Sequence, residues 1–252
     1  MAGILSSVLE RSTLRRWSKV AERVDALDPV TLAKVRGHAR RLSRRLDEVL
    51  HVVEGRLARP VAAVNDNARP LHVDWAWRPD VWAGPVRPVG RAPVANGDGF
   101  GPALKIFHDC PAAEVAMRQV RNPASDAATP FGLRFDVLRF RGSFLSAVIE
   151  LPEPVARNLT RRHLLRLDLD IEAEIPVEVF GRLNLRHGPN TERLVREVPL
   201  SRATHAEFDL SEAAEIMGPV ERAWIDVIFE GPELNQIMLR DLRLSRRPRA
   251  EV

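Results

Sequence analysis

The 252-residue chain holds a single cysteine, Cys110. An internal disulfide and any multi-cysteine zinc site are thereby excluded. No run of about 18 apolar residues occurs, which excludes a transmembrane helix. Met1 to Leu9 has no basic segment ahead of its short apolar stretch and no cleavage signal. A secretory leader is therefore not expected. The seven histidines (His38, His51, His72, His108, His163, His187 and His205) are scattered and form no H-x-H or H-E-x-x-H pattern. That argues against a metal centre. No elbow or comparable setting for a Ser/His/Asp triad is present. Gly97, Gly99 and Gly101 mimic a phosphate-binding loop, but Pro102 follows where a donor is needed, and no Lys-Ser/Thr pair comes after it. The expectation is a protein without catalytic residues, cofactor or metal.

What is present is a globular composition, 45% hydrophobic and 29% charged. Charge is unevenly spread. The net is +4, but residues 1–60 carry 13 Lys/Arg against 7 Asp/Glu. A basic segment of this kind suits an acidic partner surface, anionic lipid or nucleic acid. Equally, it suits a solvated helix face, and nucleic acid is not expected as the partner.

Residues 1–58 read as a helical anchor. Leu14, Trp17, Ala21 and Val24 recur at helical spacing. Asp28-Pro29 then supplies an N-cap followed by proline at the first helical position. From there Leu32, Val35, Ala39, Leu42, Leu46, Val49 and Val53 alternate spacings of three and four, a heptad seam. Arg36, Arg40, Arg41, Arg44 and Arg45 fall off it. Such a seam is buried either in a hairpin with the first helix or against another chain. Leu32, Val35, Leu42, Leu46 and Val49, with Arg40, Arg41, Arg44 and Arg45, are the candidates for oligomer or docking contacts.

Residues 59–103 are punctuated by seven prolines and by the turn clusters Asn65-Asp66-Asn67 and Asn96-Gly97-Asp98-Gly99. They read as an extended connector. Three tryptophans, Trp75, Trp77 and Trp82, are concentrated there, so part of it packs on the next domain.

Residues 104–252 carry the period of strands. Leu165, Leu167, Leu169 and Ile171 alternate with Arg166, Asp168, Asp170 and Glu172, giving one buried and one wet face. Similar runs lie at 133–140, 144–151, 177–185, 193–198, 223–229 and 236–244, with weaker ones at 104–108, 114–120 and 205–210. One short helix is expected at 210–217. About ten short strands separated by turns imply an antiparallel β-sandwich of jelly-roll type.

Several residues could bear chemistry. Cys110 and His108 can share a strand face, yet a buried structural thiol is the simpler reading. Asp168, Asp170 and Glu172 form a wet acidic face, expected to meet arginines such as Arg182 and Arg186 on a neighbouring strand. Trp75, Trp77 and Trp82, helped by polar groups such as Asn190 and Asn235, are candidates for a sugar-stacking platform. Trp224 lies opposite Ile225, Val227 and Phe229 in its strand, so it covers an outer sheet face or meets a partner.

Two resemblances have residues to stand on. The closing segment from Ala223 to Pro232, running into Gln236 to Leu244, looks like the last two strands of galactose-binding-like jelly rolls. More broadly, several motifs together resemble an alphaproteobacterial family that includes the head-spike base protein of gene transfer agents, which are phage-like particles. These motifs are Asp74-Trp75-Ala76-Trp77-Arg78-Pro79, Phe107-His108-Asp109-Cys110-Pro111, Arg118-Gln119-Val120-Arg121-Asn122, Leu185 to Glu192 and Arg246 to Glu251. The resemblance implies a protein made in the cytoplasm and carried on the particle surface. It implies capsid protein and spike fibre protein as partners, a pentamer if at a capsid vertex, and a role in attachment to polysaccharide. A cytoplasmic carbohydrate-binding module is the alternative.

Overall fold

The computed structural model describes residues 2–57, 72–123, 129–201, 203–213 and 219–249. Two compact units result, residues 1–51 and 52–252.

The first unit is helical. α1 (Ala2–Arg23) passes through a 3-10 turn (Val24–Ala26) into α2 (Pro29–Leu57). Asp28 caps α2, its Oδ1 accepting from the backbone N–H of Val30 and Thr31 at 3.0 and 3.1 Å. These bonds, with that of the Thr31 side chain, hold the Asp28 carboxyl below its ordinary range. Trp17 meets His38 edge to face, ring centroids 5.6 Å apart, where the chain turns back. The heptad seam divides along its length. Val35, Ala39 and Leu42 are half-buried, whereas Leu32, Leu46, Val49 and Val53 remain exposed.

The second unit is a two-sheet antiparallel β-sandwich. Its strands are β1 (Trp75–Trp77), β2 (Gly90–Arg91), β3 (Asp98–Phe100), β4 (Leu104–His108), β5 (Val115–Arg121), β6 (Phe131–Val137), β7 (Phe144–Glu150), β8 (His163–Ala173), β9 (Glu178–His187), β10 (Asn190–Glu197), β11 (Thr204–Asp209), β12 (Arg222–Glu230) and β13 (Asn235–Pro248). Two short helices, α3 (Asp80–Ala83) and α4 (Glu153–Arg157), complete it. The first sheet runs β11-β8-β13-β6-β5-β2, with β1 added to β13, and the second runs β10-β9-β12-β7-β4-β3. Alternation sets the layers. Leu165, Leu167, Leu169 and Ile171 of β8 face Ala223, Ile225, Val227 and Phe229 of β12 across one core. Each such leucine, isoleucine, valine or phenylalanine side chain withdrawn from water contributes about 1.5–3 kcal/mol.

The segment 72–103, expected as a connector, is built into the sandwich. It supplies β1, β2, β3 and α3. Trp82 is fully buried, and its indole Nε1 donates to the Leu239 carbonyl at 3.2 Å. Gln119 ties the α3 turn down, donating to the carbonyls of Val81 and Gly84 and accepting from Val86 N–H. Arg78 grips Asp241 with two bonds of 2.9 and 3.0 Å. Residues 59–71 of that predicted connector lie outside the described residues.

The acidic face of β8 finds partners other than those expected. Asp168 pairs with Arg166 and Glu172 with Arg240. Arg182 and Arg186 lie on the opposite sheet, because β8 is flanked by β11 and β13, not by β9. The helix predicted at 210–217 begins as a 3-10 turn, Leu210–Glu212, and residues 214–218 lie outside the described set. Cys110 is buried and accepts from Arg141 N–H, a structural thiol.

Candidate functional site

The outer face of the second sheet gathers aromatic and orphaned polar groups. Strand register sets its rows. Trp224 of β12 lies beside Asn184 of β9 and Glu150 of β7; Asp226 lies beside Arg182 and Val148; Ile228 lies beside Phe180 and Ser146. Phe107 of β4 extends the last row beyond Ser146. Val195 of β10 extends the middle row beyond Arg182. Successive rows are about 6.7 Å apart along the strands.

Asp226 is the centre of this face. It points away from the core, yet it is only 2% exposed. Its Oδ2 accepts from Arg182 Nε at 2.7 Å and from Asn184 Nδ2 at 3.1 Å. The second guanidinium nitrogen of Arg182 lies 2.6 Å from the same oxygen. Among the described residues its other oxygen, Oδ1, has no hydrogen-bond partner, and neither has the Oγ of Ser146, a residue 1% exposed. Buried polar atoms are normally paired, because stripping water from an unpaired one costs about 1–3 kcal/mol. Two unpaired atoms on one outward face, amid half-buried Val148, Phe180, Trp224 and Ile228, offer hydrogen-bonding capacity to a ligand.

At one end the face runs into a pocket of about 590 Å³ where α4 approaches the start of β12, lined by Glu150, Arg186, Glu221 and Arg222 among others. Arg222 links pocket and face. Its guanidinium stacks 5.3 Å from the centroid of the Trp224 ring and pairs through two nitrogens with Glu150. That pairing holds the Glu150 carboxyl below its ordinary range and raises the affinity of Arg222 for its proton. Both stay charged at neutral pH, and the ion pair fixes one edge of the indole.

The five sugar candidates read from the sequence do not converge here. Trp75 and Trp77 stack on each other on β1, centroids 6.3 Å apart, half-buried against the core. Trp82 is a core residue, and Asn235 is buried. Asn235 staples the chain by donating to the Ile175 carbonyl and accepting from Ile175 N–H. Asn190 stands exposed at the tip of the β9–β10 hairpin. Trp224, expected on an outer face, is where the site lies. Asp226, Asn184, Ser146, Glu150 and Arg222 were not singled out. A polar residue at an outward position of a strand looks ordinary until its cross-strand neighbours are known. Among the described residues no group of three or more His, Cys, Asp or Glu side chains could hold a metal ion, and no helix is long and apolar enough to cross a membrane.

The fold and face define a helical unit followed by an antiparallel β-sandwich with an aromatic, hydrogen-bonding sheet surface. The chain belongs to the family of unknown function DUF6478, which it matches over residues 1–252. No curated protein matches it. The enzymatically active domain of bacteriophage CBA120 tailspike protein 4 is similar over 60% of this chain, with 9% identity and a TM-score of 0.40; the match spans 21% of the tailspike chain. The family 11 carbohydrate-binding module of Clostridium thermocellum, solved with a β-1,3-1,4-mixed-linked tetrasaccharide, is similar over 65% of this chain and 99% of its own, at 14% identity and a TM-score of 0.39. A xylan-binding domain of Paenibacillus barcinonensis covers 64% of this chain and 94% of its own, at 6% identity and a TM-score of 0.37.

Proposed function

We propose that this protein is a non-catalytic attachment protein whose sandwich, of jelly-roll kind, holds a polysaccharide chain on the outer face of its second sheet. The observation that carries the reading is the orphaned Asp226 Oδ1 one row from the outward indole of Trp224, with the unpaired Ser146 Oγ in the row beyond. Sugars present complementary chemistry: vicinal hydroxyls that donate to a carboxylate, and a C–H face that stacks on an indole. The carboxylate is oriented by Arg182 and Asn184. The acceptor is thus fixed in place before a ligand arrives, which limits the ordering cost of binding. The finer setting follows the resemblance to head-spike base proteins. There the helical unit docks on a capsid protein and a spike fibre protein, and the sandwich meets the polysaccharide of a recipient cell.

Affinity electrophoresis through gels containing mixed-linkage glucan, xylan, galactan or an acidic capsular polysaccharide tests the reading. The full-length protein is expected to be retarded by at least one, with no release of reducing sugar. Trp224→Ala is expected to lose the retardation with an unchanged melting curve. Free migration through every gel, or full retardation of Trp224→Ala, overturns it.

A further inference from the structure

β10 is an edge strand of the second sheet, paired with β9 alone. Val198 N–H donates to the Val179 carbonyl at 2.8 Å, which sets the alternation along the pair. Leu194 and Arg196 therefore turn their backbone groups to β9, whereas Thr191, Arg193, Val195 and Glu197 turn theirs to the open edge. Of these edge groups, among the described residues, the Val195 carbonyl alone meets a donor, Arg196 Nη1 at 2.9 Å. That carbonyl keeps a second lone pair. The side chains of the same four residues lie on the outer face, alternating with buried Leu194. Val195 is 49% exposed. Arg193 and Glu197, two residues to either side of it, are exposed, and neither has an ion-pair partner among the described residues. The order cation, apolar, anion becomes its own complement when the strand is reversed about Val195.

We infer that β10 pairs antiparallel with β10 of a second copy of this chain, about a two-fold axis at Val195. In that register each Val195 meets its own copy, and each Arg193 faces Glu197 of the other chain. The edge-facing backbone groups of these residues form about six N–H···O bonds. The contact is isologous, so it closes at two copies. Charge selects the register. An axis at Arg193 or at Glu197 sets like charges against each other, and an axis at Leu194 or Arg196 leaves both charges unmatched. The pairing also covers an edge whose backbone groups otherwise face water. Val195 faces Arg182, and Arg182 faces Asp226, so all three share one row. The two outer faces thereby join into one sheet surface, with the Asp226 Cα atoms about 24 Å apart across five strand spacings. The pairing itself does not rest on what that surface binds.

Sedimentation equilibrium of the full-length protein over a dilution series tests the dimer. The expected mass at high concentration is twice the chain's 28.3 kDa. Val195→Pro removes an N–H that faces the edge and leaves the bonds to β9 in place, and edge strands accept proline. It is expected to weaken dimerisation by at least about tenfold while the melting curve of the sandwich stays. Arg193→Glu sets two carboxylates face to face at each end of the contact, and Glu197→Arg sets two guanidinium groups there. Each is expected to weaken the dimer by at least about fivefold. The double variant Arg193→Glu with Glu197→Arg again pairs opposite signs and is expected to regain the wild-type association. Where Val195→Pro fails to fold, the charge series decides alone. A monomeric wild type overturns the inference. So does an assembly that Val195→Pro leaves unchanged, which places the contact elsewhere on the chain, and so does a double variant that associates no better than the single ones.

Discussion

Replacing Asp226 probes the framework of the site and its ligand contact together. The carboxylate is 2% exposed, and three bonds converge on its Oδ2. Removing one partner of a fully buried ion pair costs about 3–5 kcal/mol, because the other charge is stranded. Here Arg182 retains 36% of its side-chain exposure and can turn to water. The cost of Asp226→Ala therefore falls to about 2–3 kcal/mol. Asp226→Asn keeps the volume and one acceptor, and costs about 1 kcal/mol. For a unit of this size each kcal/mol lowers the melting point by about 2–4 °C. Scanning calorimetry should then show alanine lowering the transition by about 4–12 °C and asparagine by about 2–4 °C. A double-mutant cycle with Arg182→Met should return a coupling of at least about 0.5 kcal/mol. The asparagine variant is expected to stay folded at 25 °C, so its affinity for the proposed polysaccharide can be read directly. Losing a charge-assisted hydrogen bond, worth about 1.5–3 kcal/mol, weakens binding by about 10–150-fold. Stability within about 0.5 kcal/mol of wild type for Asp226→Ala, or unchanged affinity for Asp226→Asn, would refute the argument.

Three further outcomes follow from the fold. Trp82→Ala should destabilise the sandwich by about 3–5 kcal/mol in denaturant titrations, since the indole is fully buried and its N–H serves the Leu239 carbonyl. Gly132→Ala should cost about 1–3 kcal/mol, because a Cβ there would lie 2.8 Å from Met238 Cε and 3.0 Å from Arg240 Cα. Ser143→Ala should raise the Asp109 carboxyl toward its ordinary pKa in an NMR titration. The hydrogen bonds of Ser143 are the main cause of its depression. A depressed carboxyl stabilises the fold above its unfolded-state pKa, and that contribution disappears as pH falls through the folded-state value. The variant should therefore show a weaker dependence of stability on pH in the acid range.

The helical unit shows how far sequence reading reaches. Asp28-Pro29 announced the start of α2, and Asp28 caps it as expected. The seam from Leu32 to Val53 announced an apolar stripe, but not which part α1 covers. Covering depends on the path of the neighbouring helix, and spacing along one helix carries no record of the other. The strand runs were legible because a sheet with one face in the core imposes period two on the sequence. β6, β7, β8, β9, β12 and β13 all fall within or beside predicted runs. The segment 72–103 was misjudged because prolines and turn clusters hide short edge strands, and its strands span two or three residues each. Periodicity cannot be recognised over so short a length.

The amino-acid sequence by itself determined the types of the long elements, the inward residues of each long strand, the absence of a disulfide, and the outward position of Trp224. These are local properties, set by alternation, capping and composition. Only the tertiary structure decided that Trp82 belongs to the core and that Asp226, Arg182, Asn184 and Ser146 meet on one face. Strand alternation says which side a residue faces, whereas strand order and register say whom it meets. In this sandwich β12 sits between β9 and β7, strands distant from it in sequence. The site is therefore a product of long-range pairing, and no local pattern announces it.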